Sequence, residues 1–264
     1  MFNSRSPIAL ITGASSGIGA AFARALARQG YQLLLCGRRQ EQLSALCQQL
    51  GEGAHSFVGD LAEPAVVDEL VSRMQALPRL DLLINNAGYA LDGRFDQLPL
   101  DQLQAQLALH VQVTVRLCHA GLPQLLQHGG AIINVASVAS WLPSPQTPLY
   151  GPTKAFVRSF SETLALAYRR HGVRVQALCP GFTVTDFHQR IGLDPQRFYR
   201  RYGLLRAYSA EQVVARSLAD LAAGRIVSIP GWNYRLLVVI FRHAPMALVH
   251  WLLGRSTVAR YGAD

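Results

Sequence analysis

The sequence has almost no lysine: of its 25 basic residues, only Lys154 is a lysine and the other 24 are arginines. Acidic residues are also few, at 16, which gives the chain a formal net charge of +9. Such a basic chain is a candidate for binding nucleic acid, but it contains neither a recognition-motif spacing nor a basic stripe interleaved with aromatic residues. We therefore expect no nucleic-acid partner.

Cysteine is scarce as well. The four cysteines stand at spacings that fit neither a metal site nor a redox pair, and each lies in an apolar stretch: Cys36, Cys47, Cys118 and Cys179. We therefore predict core thiols and no metal site.

Charged residues make up 16% of the chain and hydrophobic residues 50%. This balance excludes a disordered or coiled-coil protein and favours one folded domain.

Long apolar runs suited to targeting or membrane insertion are missing too. Residues 1–7 include Arg5 and no apolar stretch, so we expect no signal peptide and a cytoplasmic location. The most apolar segment, 232–254, is interrupted by charged, polar or helix-breaking residues, namely Arg235, Arg242, His243, Pro245 and His250. It is therefore not expected to span a bilayer.

What the sequence does contain is a regular alternation of strand and helix patterns. Apolar, β-branched runs predict buried strands at 8–12, 31–36, 56–59, 80–85, 131–136, 173–178 and 226–229. Helical patterns lie between them at 17–29, 39–50, 64–77, 100–127, 150–170 and 210–223. This alternation requires right-handed crossovers and predicts an α/β fold, a doubly wound parallel sheet with helices on both faces.

A glycine-rich turn, Thr12-Gly13-Ala14-Ser15-Ser16-Gly17-Ile18-Gly19, directly follows the first predicted strand. Its glycines let the backbone approach a pyrophosphate, which the free N–H groups and the dipole at the start of the next helix would attract. We therefore assign dinucleotide binding to the turn, through Gly13, Ser15, Ser16, Gly17, Ile18 and Gly19.

The end of the second strand distinguishes two cofactors. It reads Leu35-Cys36-Gly37-Arg38-Arg39 and has no acidic residue to hold an adenosine ribose 2′-hydroxyl, whereas Arg38 can bind a 2′-phosphate in a bidentate manner. The sequence therefore predicts NADP(H) over NAD(H); the alternative is that these arginines form only a solvated helix start. Asp60 is a candidate acceptor for the adenine amino group, and Leu61 beside it is a further candidate contact.

Tyr150 starts a long helix after the fifth strand and Ser137, and Lys154 follows four residues later. This spacing places Tyr150 and Lys154 on one helical face, so we expect the ammonium to lower the pKa of the phenol. Such a tyrosine can act as acid and base near neutrality, while the Ser137 hydroxyl holds the oxygen of a carbonyl substrate.

Together these motifs resemble those of the short-chain dehydrogenases/reductases, with Asn85-Asn86-Ala87-Gly88 and Pro180-Gly181 as further matches. The resemblance covers residues 8–230 and implies a Rossmann-type fold, a nicotinamide cofactor and hydride transfer. It implies that Lys154 binds the nicotinamide ribose and that family members commonly form dimers or tetramers. It also implies adenosine contacts from Asn86, Ala87 and Gly88, and nicotinamide contacts from Pro180, Gly181, Thr183 and Thr185.

One residue departs from the family pattern. His110 stands where the family usually has an asparagine, which is thought to hold a water in a proton relay from Lys154 to solvent. The imidazole of His110 could serve as a catalytic relay in its place. It could equally be a packed helix residue, and the sequence leaves both interpretations open.

The segment at 186–208 covers the substrate in this family, and here it alternates aromatic residues with arginines. A lipophilic carbonyl or alcohol, including one that is linked as an acyl thioester, suits such a segment, although a solvated basic lid is the alternative. Beyond the predicted catalytic domain, 1–230, lies an apolar extension, 231–264. We expect this extension to cover the pocket or to contact a membrane surface peripherally, while pairing of two subunits is a further alternative.

Three functions follow from these observations. The first is an NADPH-dependent reductase of a lipophilic ketone or aldehyde, or the reverse alcohol oxidation. The second is an NAD-dependent alcohol dehydrogenase, in which Arg38 is incidental. The third is a non-catalytic nucleotide-sensing or membrane-docking protein of the same fold.

Overall fold

The computed structural model describes residues 2–185, 206–247 and 249–251. Within these residues, one parallel sheet contains seven strands: β1 (Ile8–Thr12), β2 (Gln32–Gly37), β3 (Ala54–Val58), β4 (Leu82–Asn85), β5 (Ala131–Val135), β6 (Arg174–Leu178) and β9 (Val227–Ser228). Their order in the sheet is β3-β2-β1-β4-β5-β6-β9. Two short strands, β7 (Thr183–Val184) and β8 (Tyr208–Ser209), pair separately. The predicted doubly wound fold in a single domain is confirmed.

Helices cover both faces of this sheet. They are α1 (Gly17–Ala27), α2 (Gln40–Leu50), α3 (Pro64–Gln75), α4 (Leu100–Leu107), α5 (Val113–His128), α6 (Tyr150–Tyr168), α7 (Ala210–Ala222) and α8 (Trp232–His243). Alternate residues of β1 enter opposite cores: Ala9 and Ile11 pack with α1 and α7, whereas Ile8 and Leu10 pack with α3 and α5. Burial on both faces is why the strands are continuous apolar runs.

The predicted helix 100–127 is not continuous. A π-helical turn, Ala108–Gln112, separates α4 from α5 and carries His110. A π turn accommodates an additional residue within a helix, and such turns occur frequently at functional sites. The apolar spacing predicts a helix across this region but does not indicate where the additional residue is accommodated.

The predicted core thiols are largely in the core. Cys36, Cys118 and Cys179 are buried, whereas Cys47 is half-buried at the end of α2, and all four are free. Burial raises the pKa values of Cys36, Cys118 and Cys179 to about 12. These three thiols are therefore protonated at neutral pH and unreactive as nucleophiles.

Helix α8, with which the predicted C-terminal extension begins, packs against the rest of the described fold. Its inner face buries Asn233, Tyr234 and Val238. Asp220 of α7, whose side chain is only 4% exposed, accepts a hydrogen bond from the Ser228 hydroxyl and lies 3.9 Å from the Arg235 guanidinium of α8. In the described part of the chain, no helix combines the length and apolarity needed to cross a bilayer.

Candidate active site

A cavity of about 550 Å³ lies at the carboxyl ends of the strands. The strand order reverses between β1 and β4, and crevices at such a switch point are where open α/β sheets bind ligands. All but two of the predicted site residues line this cavity. The exceptions are Gly19 and His110, which lie behind its wall.

The glycine turn after β1 is held in shape by contacts that only glycine allows. Gly13 and Gly17 have φ values of +66° and +54°, a region that disfavours residues with a side chain. A Cβ on Gly19 would lie 2.3 Å from the carbonyl oxygen of Gly13. Gly19 therefore lets α1 pack directly against the turn, so its contribution to a cofactor site is indirect.

Asn86, after β4, fastens the same turn from the other side. Its Nδ2 donates hydrogen bonds to the carbonyl oxygens of Thr12, at 3.0 Å, and Gly13, at 3.1 Å. The Thr12 hydroxyl accepts in return from the backbone N–H groups of Asn86 and Ala87, both at 3.0 Å. The turn and the neighbouring strand end are therefore fixed relative to each other before any ligand binds.

Two arginines line the end of the cavity beside β2. The sequence predicts a cofactor contact for only one of them, Arg38. Arg38 donates from Nη1 to Asp60 Oδ2 at 3.3 Å, and its side chain is 60% exposed. Arg39, which the prediction left out, donates from Nε and Nη2 to Ser15 Oγ at 3.2 and 3.0 Å. Asp60 Oδ1 accepts from the backbone N–H of Ala62. This end of the cavity thus presents two guanidinium groups next to the glycine turn.

The other end of the cavity brings together Ser137, Tyr150 and Lys154, all on its wall. Ser137 follows β5, and its hydroxyl accepts from the backbone N–H of Ala139 at 3.1 Å and is hydrogen-bonded to Tyr150. Lys154 Nζ donates to the Val135 carbonyl oxygen at 2.8 Å and lies 5.8 Å from the centroid of the Tyr150 ring. The one lysine of the chain is therefore a buried cation in contact with the tyrosine.

The pKa values at this end differ from the expectation based on spacing. Burial raises the pKa of Tyr150, and the hydrogen bond from Ser137 only partly opposes it. Burial lowers the pKa of Lys154 to about 8. The expected lowering of the tyrosine pKa by the ammonium is absent, because Nζ is bonded to the Val135 carbonyl and lies over the ring, while desolvation dominates at the hydroxyl.

His110 is buried behind this pair, with both ring nitrogens bonded to protein groups. Nε2 accepts from the Tyr89 backbone N–H at 3.1 Å, and Nδ1 lies 2.8 Å from Thr153 Oγ1. The Thr153 hydroxyl donates to the Tyr150 carbonyl oxygen at 3.0 Å, so Nδ1 must carry the hydrogen that Thr153 accepts. Neutral His110 thus bridges the loop after β4 to the start of α6, an arrangement that favours the packed interpretation over the relay.

The charge state of His110 gives a testable consequence. Burial, with a further contribution from Lys154, holds its pKa well below 6.5. As the pH falls through about 6.5, the unfolded chain binds a proton here that the folded chain does not, so the free energy of unfolding falls. Replacing His110 with Asn should reduce the loss of unfolding free energy between pH 7.5 and 5.5 by about 1 kcal/mol, measured by urea denaturation.

The matched control is His119→Asn, which changes an exposed histidine of α5. It should leave the pH dependence of stability as in the original chain. An unchanged pH dependence in His110→Asn would mean that His110 binds a proton as readily in the folded chain as in the unfolded chain between pH 7.5 and 5.5. The hydrogen-bond assignment would then be wrong.

Comparison with known proteins identifies the family. The family description "short chain dehydrogenase" matches residues 7–196. Sulfoacetaldehyde reductase 2 from Chromohalobacter salexigens is 37% identical over 188 residues, which are 69% of this chain and 75% of that protein. A short-chain dehydrogenase from Sphingobium yanoikuyae, solved in complex with NADPH, is 31% identical, with a TM-score of 0.80 over 98% of this chain and 96% of that one.

A second solved structure is that of an alcohol dehydrogenase from Comamonas testosteroni that is specific for bulky-bulky ketones. It is 27% identical, with a TM-score of 0.74, and the match covers 98% of this chain and 96% of that one. The predicted family is confirmed, and the predicted NADP(H) agrees with the NADPH bound by the Sphingobium protein. The chain therefore belongs to the short-chain dehydrogenase family and is an NAD(P)-dependent oxidoreductase acting on CH–OH and C=O groups.

Proposed function

We propose that the chain is an NADPH-dependent reductase of lipophilic ketones or aldehydes, and of the corresponding alcohols in reverse, with Tyr150 as the acid and base. The observation that carries this proposal is one cavity with arginines at one end and the Ser137, Tyr150 and Lys154 side chains at the other. Gly13 to Gly19 and the start of α1 suit the pyrophosphate between these two ends.

The bound cofactor would supply the hydride. The side chains at the Tyr150 end supply the proton and stabilise the phenolate that remains after the proton has left. Tyr150 donates its phenolic proton to the carbonyl oxygen as the alcohol forms, while the Ser137 hydroxyl holds that oxygen. The raised pKa of Tyr150 keeps the phenol protonated at neutral pH, which is the form that a reduction requires. Lys154, whose pKa is about 8, remains mostly charged there and stabilises the phenolate that is left.

The preference for an apolar substrate rests on the wall next to Tyr150. Besides Ser144 and Thr147, this wall consists of apolar and aromatic side chains: Val138, Ala139, Leu142, Pro143, Tyr234 and Leu237. In the described lining, the only charged residues are Lys154 and the Arg38, Arg39 and Asp60 set at the far end. An ionic substrate such as sulfoacetaldehyde has no cationic partner on this wall apart from Lys154, whereas a bulky ketone matches its apolar surface. Residues 186–205 of the predicted lid, 186–208, lie outside the described residues.

The catalytic assignment is tested with Tyr150→Phe, assayed with NADPH on aliphatic ketones of increasing length and on sulfoacetaldehyde. We expect kcat to fall by roughly 10²–10⁴-fold, because the proton donor is lost while the ring that packs in the wall remains. The original chain should prefer the longer ketones. Tyr31→Phe, at the opposite end of the sheet, is the control and should retain full turnover. Undiminished turnover in Tyr150→Phe would remove Tyr150 from the mechanism.

The cofactor preference is tested with Arg38→Asp. Loss of a charge-assisted hydrogen bond and repulsion of the 2′-phosphate should raise the KM for NADPH by about 10-fold or more and leave that for NADH nearly unchanged. Arg170→Asp makes the same charge change at an exposed position away from the cavity and should alter neither KM. If Arg38→Asp kept the original preference for NADPH, Arg38 would not be the group that binds the 2′-phosphate.

We further propose that α8 holds the protein peripherally on a membrane with anionic lipids. Its outer face exposes Trp232, Leu236, Val239 and Ile240, each at least 44% accessible and spaced to lie along one side of the helix. Arg235 and Arg242 lie along one edge of this apolar stripe, by the same helical spacing. Two more arginines, Arg216 and Arg225, contact Asp220 together with Arg235, so one carboxylate faces three guanidinium groups.

This basic edge supports an anionic bilayer over a second copy of the chain as the occupant of the stripe. Arginine side chains can reach lipid phosphates while aromatic and aliphatic side chains enter the interface. A symmetric pairing of two α8 helices would instead bring two positively charged edges close together. The homo-oligomer implied by the family remains a prediction, and it would use a different surface.

Flotation with vesicles tests the membrane proposal. Leu236→Ser combined with Ile240→Ser should lower the bound fraction on phosphatidylserine-containing vesicles by about 10-fold or more, since two side chains no longer enter the apolar layer. The control changes two exposed leucines elsewhere, Leu100→Ser with Leu166→Ser, and should bind as the original chain does. Equal flotation of both double variants would reject the anchor. Loss of a dimer on gel filtration in the α8 variant alone would assign the stripe to subunit pairing.

A further inference from the structure

The C-terminal helix does more than close one side of the cavity. We infer that Tyr234 of α8 is a positioning residue for the nicotinamide end of the cofactor site, because it fastens the loop that follows β6. This inference rests on the proposed function, since it takes the loop at Pro180–Thr185 as the nicotinamide contact. None of the motifs that identify the family includes Tyr234.

The hydroxyl of Tyr234 holds two chain segments at once. It accepts a hydrogen bond from the Phe182 backbone N–H at 3.0 Å and donates one to the Arg206 carbonyl oxygen at 2.9 Å. The residue is only 1% exposed, so no bulk water competes for these bonds. Burial raises the pKa of Tyr234 to about 12, which keeps the phenol protonated and able to donate across the neutral range.

The ring of Tyr234 packs directly on the backbone of the loop. A Cβ added to Gly181 would lie 2.2 to 2.3 Å from three carbons of the ring, so the ring is in direct contact with the loop backbone. A residue larger than glycine at position 181 would have to displace either the loop or the helix. The glycine at 181 is therefore matched to a tyrosine 53 positions later in the chain (234 − 181), a pairing between the catalytic domain and the extension.

A second tyrosine, Tyr208, is hydrogen-bonded to the same region, but its hydroxyl makes no hydrogen bond to the backbone N–H of Phe182. Tyr208 donates from its hydroxyl to Asn233 Oδ1 at 2.8 Å, and its backbone N–H donates to the Phe182 carbonyl oxygen at 3.0 Å. Phe182 is thus bonded through its N–H to α8 and through its carbonyl to β8. Tyr208→Phe would remove a bond to α8 while leaving both bonds of Phe182 in place.

This arrangement separates the two ends of the cofactor site. Tyr234 is hydrogen-bonded to the loop at the nicotinamide end, through Phe182, whereas Arg38 and Arg39 at the adenosine end lie between β2 and α2. Loosening the loop should therefore weaken contacts to the nicotinamide and leave contacts to the adenosine 2′-phosphate unchanged. A general loss of folding would weaken both.

The experiment compares two ligands on Tyr234→Phe. NADPH reports on both ends of the site, through its affinity and through the fluorescence change of its nicotinamide on binding. Adenosine 2′,5′-bisphosphate reports on the adenosine end alone. We expect the dissociation constant for NADPH to rise about tenfold, with a smaller fluorescence change, while that for the bisphosphate stays within about twofold of the original.

The controls are Tyr208→Phe and Tyr31→Phe, which should bind both ligands as the original chain does. If Tyr234→Phe is less stable than the original chain, both ligands are measured below the temperature at which the variant begins to unfold, and the same selective loss is expected there. Equal weakening of both ligands, or an unchanged NADPH fluorescence in a folded variant, would overturn the inference. Failure of the original chain to bind either ligand would instead reject the proposed function, and this inference with it.

Discussion

The buried ammonium of Lys154 determines the arrangement of the groups around it. A charge removed from water is costly unless it is hydrogen-bonded, and here the Val135 carbonyl at the end of β5 provides the acceptor. A second buried cation beside it would be unfavourable, which is one reason that the pKa of His110 is held low. A side chain at position 88 would collide with His110, since a Cβ on Gly88 would lie 2.9 Å from His110 Nε2, and it would lie in contact with Lys154 Nζ at 3.4 Å.

The sequence predicts most of the fold because both faces of the sheet are covered, so its strands appear as uninterrupted apolar runs. The catalytic and glycine motifs are equally visible, since each combines a residue type with a fixed local spacing. The π turn at His110 is hidden because helical periodicity does not locate one additional residue. Arg39 and Tyr234 are hidden for another reason: their importance depends on partners distant in the chain, such as Ser15 and Phe182, and no local pattern marks such contacts.

Helix α8 connects the cavity with the exposed apolar stripe on the outside of the protein. Its inner face lines the cavity with Tyr234 and Leu237, and its outer face presents an apolar stripe. A ligand bound to the outer face can affect the cavity only if its affinity depends on how α8 is arranged against the cavity. The Tyr234 hydroxyl connects the first turn of α8 to the loop after β6, so a displacement of α8 would be felt at that loop through this hydrogen bond.

The near absence of lysine has a chemical consequence beyond charge. Neutral primary amines condense with aldehydes and ketones to give imines, whereas the guanidinium group of arginine stays protonated and does not react in this way under ordinary conditions. The only side-chain amine of this chain lies buried in the wall of the cavity. The surface of the protein is therefore strongly basic and yet offers reactive carbonyl compounds no lysine with which to form an adduct.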